Sequence, residues 1–253
     1  MNSSGPFQSH REYIAGVPCD FLSQEEYIRA ITASLVSHTL THIVTLNAEM
    51  VVLAHHDEKF NKAIHRAELI IPDSSGILWA RDYINKKTTL LSFFFSRTMP
   101  LTGVESVDSI CKEVELLHGS VYLIGGEEYD RKKTAQILQI KYKKLKITIL
   151  SDLTFFNSPL KRGGDQKPSA IFVALGAPKQ TMWIEQHRTQ LEQAGIRIAI
   201  GIGGAFAMIS GRLPRAPYWM RKVHLEWLWR LLLEPKRIHR IWNAIIVFPR
   251  LII

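Results

Sequence analysis

Cysteine is nearly absent: Cys19 and Cys111 are the only thiols in 253 residues. So far apart, they form neither a metal-ligand pair nor a disulfide framework, which points to a reducing compartment. The histidines show no H-E-x-x-H spacing and no Cys/His set, so no metal site is expected. A G-x-S-x-G elbow and a G-x-x-x-x-G-K-[ST] loop are also missing, which argues against a standard hydrolase or a P-loop enzyme. In "GIGGAF" the glycines at 201, 203 and 204 are followed by Phe206, where a G-x-G-x-x-G fingerprint needs glycine, and no acid placed for a ribose follows. A pyridine-nucleotide oxidoreductase is therefore disfavoured. No apolar run reaches the roughly 18 to 20 residues of a spanning helix, and "AIIVFPRLII" is interrupted by Pro249 and Arg250. The polar opening "MNSSGPFQSHREY" has no basic stretch ahead of an apolar one, so its first dozen residues read as frayed rather than as a signal peptide.

What the chain does have is apolar content and positive charge. A 46% hydrophobic composition is ample for a buried core, in one large domain or two small ones. The net charge of +9 suits phosphate-bearing ligands, nucleic acid or an anionic surface, and it is unevenly placed. From Gly211 to Ile253 nine Lys or Arg face only Glu226 and Glu234, and four of the six Trp (219, 227, 229 and 242) lie there too.

Strand-like and helix-like segments alternate. "THIVTLNAEM" reads as a strand ending at Asn47, "MVVLAHHDEKFNKAIHRA" as the helix after it, and "ELIIP" as a strand stopped by Pro72. Asp73, Ser74, Ser75 and Gly76 then form a polar turn. "VYLIGG", "KITIL", "SAIFVALG" and "IRIAIGIGG" are further short β-rich runs, separated by segments long enough for crossover helices. This alternation predicts an α/β fold with a mainly parallel sheet flanked by helices. Asn47, Asp73, Gly125, Gly176 and Gly203 would then all emerge at the C-terminal strand ends, where such sheets gather ligands. "SDLTFFNSPLKRGGDQKPSA" reads as a surface loop within one sheet, and the apolar run from Leu90 to Phe95 as core or as a flap beside a site. The pattern turns helical, aromatic and basic after Gly211, dividing a core at 1–211 from a helical appendage at 212–253.

Each candidate residue has a plain reading beside a functional one. Gly125-Gly126 and Gly203-Gly204 either make tight turns or let backbone approach a phosphate. Pro178 suits the first turn of a helix, leaving Gln180 to touch a nucleotide or sugar, or to face solvent. Asp73 either caps its turn or accepts the proton of an attacking hydroxyl. Thr45 and Asn47 bond either a polar ligand or turn backbone. In "RAPYWMRKVHLEWLWRLLLEPKR", Met220, Val223, Trp227, Leu228 and Leu231 recur at helical spacing, with Leu225, Trp229 and Leu232 widening the face. Such a face is either core or an interfacial helix whose tryptophans and basic residues meet anionic lipid. Without an accompanying nucleic-acid-binding pattern, no nucleic-acid partner is expected.

The segments "GVPCDFLS", "TLNAEM", "IIPDSSGILWA", "VYLIGG", "FVALGAPKQTMWI", "GIGGAFAMISG" and the Trp-rich tail together resemble the WecG/TagA/CpsF glycosyltransferase family, also called family 26. That resemblance implies a Rossmann-like core and a C-terminal helical appendage that helps complete the site. It implies an inverting, metal-independent bacterial enzyme with no cofactor. The reaction would carry an N-acetylmannosamine-type sugar from a UDP-sugar to a polyprenyl-diphosphate-linked sugar in cell-surface polysaccharide synthesis. The enzyme would sit in the cytoplasm, peripherally attached to the inner membrane face, with self-association through the tail also open. On the same basis Asp73 matches the catalytic base, while Thr45, Asn47 and Gln180 match pocket residues. Arg215, Arg221 and Arg230 match appendage arginines available to diphosphates. The resemblance breaks at Ser74, Thr181, Ala207 and His224, and at Pro100, where an arginine is expected and Arg97 is the candidate substitute. A non-catalytic protein binding a nucleotide sugar or a lipid-linked sugar is the remaining alternative.

Overall fold

A computed structural model describes residues 11–86, 88–89, 100–150 and 169–253. Arg97, the run from Leu90 to Phe95 and most of the loop expected between the fourth and fifth β-rich runs lie outside the described residues, as do residues 1–10.

The chain enters through an antiparallel hairpin, β1 (Arg11–Ile14) and β2 (Val17–Asp20). Residues 11 and 12 are therefore in a strand, not frayed. Ala15 and Gly16 make the two-residue turn, both at positive φ, the geometry that matches strand twist. Asp20, fully buried, fastens the hairpin: its carboxylate accepts two bonds of 2.8 Å from Arg11 and one of 2.8 Å from the Ile70 amide. An otherwise open sheet edge is thereby covered.

Six strands form the main sheet: β3 (Thr41–Leu46), β4 (Leu69–Pro72), β5 (Ser120–Gly125), β6 (Lys146–Ile149), β7 (Ser169–Ala174) and β8 (Ile196–Gly201). Their order is β4-β3-β8-β7-β5-β6, every neighbouring pair parallel. β3, β4 and β7 are buried throughout, as expected of β-branched runs covered on both faces. Alternate residues divide the core: Ile43, Leu123, Phe172 and Ile200 pack on one face, Val44, Leu46 and Ile70 on the other. The first face is covered by α1 (Gln24–Val36) and α5 (Gly103–Leu116), whose starts carry capping boxes at Ser23/Glu26 and Thr102/Glu105.

The expected helix between β3 and β4 is two, α2 (Ala48–His56) and α3 (Glu58–His65). Asp57 ends one and begins the other, its side chain accepting from the Phe60 amide at 3.0 Å. His55 and His56 therefore sit on a different helix from His65. Pro72 closes β4 as its last residue, and the expected turn of four is shorter, because α4 (Ser75–Ile84) already begins at Ser75. The remaining crossovers are α6 (Glu128–Lys141), then α7 (Lys179–Gln186) with α8 (Arg188–Gln193). The sheet fits a Rossmann-like α/β fold.

After the short α9 (Ala205–Ile209) the chain runs into α10 (Tyr218–Lys222) and α11 (Glu226–Leu233). The single helical face expected across residues 220–232 is thus interrupted at 223–225, where His224 adopts φ 57°. A short 3-10 turn leads to α12 (Ile238–Trp242), a π-helical turn at Asn243–Val247 and α13 (Phe248–Ile252). Phe248 is fully buried in the same cluster as Val51 and Trp79, so the tail returns to the core.

Candidate active site

The chain winds from β3 to β4 in one direction and from β5 to β6 in the other, with β8 and β7 between them. The crevice belonging to such a reversal opens at the C-terminal strand ends. There a cavity of about 520 Å³ lies between the sheet and the tail. Its wall includes Thr45, Asn47, Asp73, Gly176, Gln180, Gly203, Gly204, Arg215, Arg221 and Arg230. Of the residues anticipated from sequence, Gly125 is beneath this wall: a β-carbon there would meet the Ala174 carbonyl oxygen at 2.7 Å, and Gly126 lines the cavity instead.

Several of these groups hold the cleft rather than wait in it. Thr45 Oγ1 donates to the Gly201 carbonyl at 2.8 Å, tying β3 to β8. Asn47 caps α2, Oδ1 accepting from the Met50 amide at 3.0 Å, which spends its oxygen and leaves its amide nitrogen. Gln180 is buried rather than solvent-facing. Its Oε1 accepts from the Gly176 amide at 3.1 Å and the Gly203 amide at 3.0 Å, clipping together the loops after β7 and β8. Gly201 makes room for that clip, since a β-carbon would come within 2.6 Å of Gln180 Nε2.

Asp73 follows β4 directly. Its own amide donates to Leu46 at 2.8 Å, and its Oδ1 accepts from the Gly103 amide, at the first turn of α5, at 2.8 Å. Oδ2 has no bond to a described residue, so one oxygen is fixed and the other open. Burial pushes this carboxyl up to about 7; the Gly103 N–H and nearby Arg230 pull it down, and Glu226 and Glu105 push it up. A base tuned near neutrality is suited to take a proton from a hydroxyl at physiological pH.

Sequence counting showed the surplus of arginines but not their division of labour. Three are held by carboxylates of the core: Arg212 by Asp130 at 2.6 Å, Arg215 by Glu105 at 3.0 Å and Arg240 by Glu49 at 2.7 Å. Arg212 binds Asp130 in fork geometry and holds that acid below its usual range. Arg237 pairs with Glu234 inside the tail at 2.7 Å. Two differ. Arg221 donates to the Ala216 carbonyl at 3.1 Å and lies over the Tyr218 ring, and Arg230 has no carboxylate within ion-pair distance among the described residues. Arg230 Nη2 is buried without a hydrogen-bond partner, close against Gly204, and burial lowers the guanidinium's pKa. A guanidinium N–H buried without an acceptor is a donor that an anion entering the cleft could satisfy.

Glu49, Asp130, Glu226, Trp227 and His224 also line the cavity and were not singled out from sequence as site residues. Their signal was weak: each stands in a helical segment or at its end, with nothing local to show which face meets the cleft. Among the described residues no group of three or more His, Cys, Asp or Glu could hold a metal ion, and no helix is long and apolar enough to cross a membrane.

Known proteins resemble the chain in sequence over most of its length. N-acetylglucosaminyldiphosphoundecaprenol N-acetyl-beta-D-mannosaminyltransferases of Staphylococcus aureus strains MRSA252, NCTC 8325 / PS 47 and COL are each 30% identical to the chain over 237 residues, covering 90% of it and 87% of the relative. The family model for the Glycosyl transferase WecG/TagA/CpsF family matches residues 12–253. With the match running from the first hairpin to the last helix, the chain belongs to the WecG/TagA/CpsF glycosyltransferase family.

Proposed function

We propose that this glycosyltransferase moves an N-acetylmannosamine-type sugar from a UDP-sugar to a polyprenyl-diphosphate-linked sugar, with inversion and without a metal ion. The acceptor hydroxyl attacks the anomeric carbon while the bond from that carbon to the UDP oxygen breaks on the opposite side. Asp73 takes the hydroxyl proton on Oδ2, and UDP leaves with the bonding electrons. Arg221 and Arg230 meet the charge that develops on the departing diphosphate, a role a metal fills elsewhere. The single observation carrying this reading is the pairing of a near-neutral carboxyl, open on one oxygen, with an arginine whose Nη2 is buried without a hydrogen-bond partner. The relatives' names supply the acceptor and the sugar.

The exposed residues of the tail support a peripheral place on the inner membrane surface. Tyr218, Trp219, Leu232 and Trp242 are exposed in this segment, as are Lys222 and Lys236. Aromatic rings at headgroup depth beside lysines would bind anionic lipid and bring the cleft to its lipid-linked acceptor.

Radiolabelled UDP-N-acetylmannosamine and a polyprenyl-diphosphate-N-acetylglucosamine acceptor, incubated with the purified protein in excess EDTA, test the chemistry. Labelled lipid product whose new linkage is inverted at the anomeric carbon supports it. UDP-sugar binding without turnover would replace it with the binding-protein reading, and retention at the anomeric carbon would remove the single displacement.

A further inference from the structure

Six acidic residues among those described line the cleft, and their partners set one of them apart. Glu49, Glu105 and Asp130 are held by Arg240, Arg215 and Arg212. Asp73 is fixed through one oxygen by the Gly103 amide, and Glu127 is exposed at the start of α6. Glu226, in the first turn of α11, is half-buried on the cavity wall and makes no hydrogen bond or ion pair with a described residue. Its place in the helix makes this unexpected. Arg230 follows four residues later, the spacing and order at which a glutamate pairs with a cation one turn on. Glu25 with Arg29, Glu58 with Lys62 and Glu128 with Lys132 all close that pair elsewhere in the chain. Glu226 and Arg230 do not close it; both line the cavity instead. The charge of Glu226 is nevertheless felt by Arg230 and, from the sheet side of the cleft, by Asp73. Its carboxylate therefore stands within reach of the base and of the tail cation at once, with its oxygens uncommitted. So placed, it repels a diphosphate and suits a neutral group that donates hydrogen bonds. In the displacement, what lies between the base and the cation that meets the diphosphate is a sugar ring, whose hydroxyls are such donors.

We propose that Glu226 is a sugar-binding residue of this chain, its carboxylate accepting a hydrogen bond from a hydroxyl of a sugar held between Asp73 and Arg230. This rests on the transferase reading of the cleft and adds to it a hydrogen-bond acceptor on a wall otherwise supplied by arginine donors. One hydrogen bond to a charged oxygen is the size of effect to expect, about tenfold in affinity. The sugar is either the one carried by UDP or the one that ends the lipid-linked acceptor, and the two are separable by experiment.

In the full-length protein, Glu226→Ala removes the acceptor, while Glu226→Gln keeps the shape and a neutral carbonyl in its place. Affinities for UDP and for UDP-N-acetylmannosamine are measured by calorimetry, with KM for the polyprenyl-diphosphate-N-acetylglucosamine acceptor. UDP lacks the sugar, so it reports on the rest of the site. With the contact on the donor, Glu226→Ala is expected to bind UDP-N-acetylmannosamine about tenfold more weakly and to hold its affinity for UDP, the glutamine variant losing less. With the contact on the acceptor, both nucleotide affinities are held and acceptor KM rises about tenfold, glutamine again between. An alanine variant equal to the parent in all three values would overturn the inference while leaving the transferase reading intact. Equal losses for UDP and UDP-N-acetylmannosamine would overturn it too, assigning Glu226 to the shape of the tail. If the alanine variant does not fold, the glutamine variant decides by the same comparison. A parent protein that neither binds UDP nor transfers sugar would remove the transferase reading, and this inference with it.

Discussion

The titration of Asp73 is the most exposed consequence of the proposed chemistry. The carboxyl is lifted from 3.8 to about 7 by burial, so at pH 5 only about one molecule in a hundred carries the base form. The value of kcat/KM should therefore climb about tenfold per pH unit below 7 and level off above it. Asp73→Asn should lower transfer by about 10²- to 10⁴-fold, the usual contribution of a general base, and flatten that acid limb. Arg230 draws the carboxyl downward, so Arg230→Met should move the limb to higher pH in whatever activity remains. Stability supplies an independent arm. An acid raised on folding is bound more tightly to its proton in the native state, so its contribution is fully present below the unfolded value and is lost as pH rises through the folded one. Between pH 4 and pH 7 the parent should lose up to about 4 kcal/mol that Asp73→Asn keeps, read as diverging urea midpoints. Parent-like transfer by Asp73→Asn, or an acid limb that survives in it, would refute the assignment. Parallel urea midpoints across this pH range would refute the raised carboxyl itself.

Other perturbations separate binding from folding. Arg230→Met removes a guanidinium whose Nη2 is buried without a hydrogen-bond partner and should stabilise the free protein by about 1 to 3 kcal/mol in thermal melts. The same change should cost about 2 to 4 kcal/mol in transition-state binding, seen in kcat/KM. Gly201→Ala forces the Gln180 amide out of its place and should lower stability by about 1 to 3 kcal/mol while weakening UDP binding; unchanged UDP affinity would mean that the two loops do not need their clip. His42 is fully buried in β3 with no partner on either ring nitrogen, and burial, with Arg188 nearby, pushes it down to about 3. Its folded value is depressed below 6.5, so protonation favours the unfolded chain. The parent should lose about 1.4 kcal/mol per pH unit below 6.5 that His42→Leu retains, checked by urea unfolding at pH 7 and pH 4.5. Trp219→Ser with Trp242→Ser should reduce flotation with anionic liposomes and leave UDP affinity unchanged; full flotation would dispose of the membrane face.

How much of this was legible depended on whether the signal was local. β3, β4, β7 and β8 are runs of β-branched residues covered on both faces, so each carries its identity within a few positions. Asp73 and Gly203 could be placed at strand ends because the strand itself marks where it stops. The tail could not be read the same way, because its apolar residues answer to different surroundings. Met220 and Phe248 enter the interior, Trp227 lines the cavity, and Trp219, Leu232 and Trp242 face outward. One helical period summed over all of them predicted a continuous face, where a left-handed corner at His224 instead divides the segment. Charge was misleading for a related reason. The partners of Arg212, Arg215 and Arg240 lie 82, 110 and 191 positions away, so counting showed the surplus without showing what it was already bound to. Once those pairs are made, Arg221 and Arg230 remain on the cavity wall without a carboxylate among the described residues. Two cations on the wall of a 520 Å³ cleft match the charge of a single diphosphate, whereas a polyanion gains its affinity from many phosphates spread along a basic surface. The same net charge that admits both partners from sequence therefore favours the small one once the internal pairs are known.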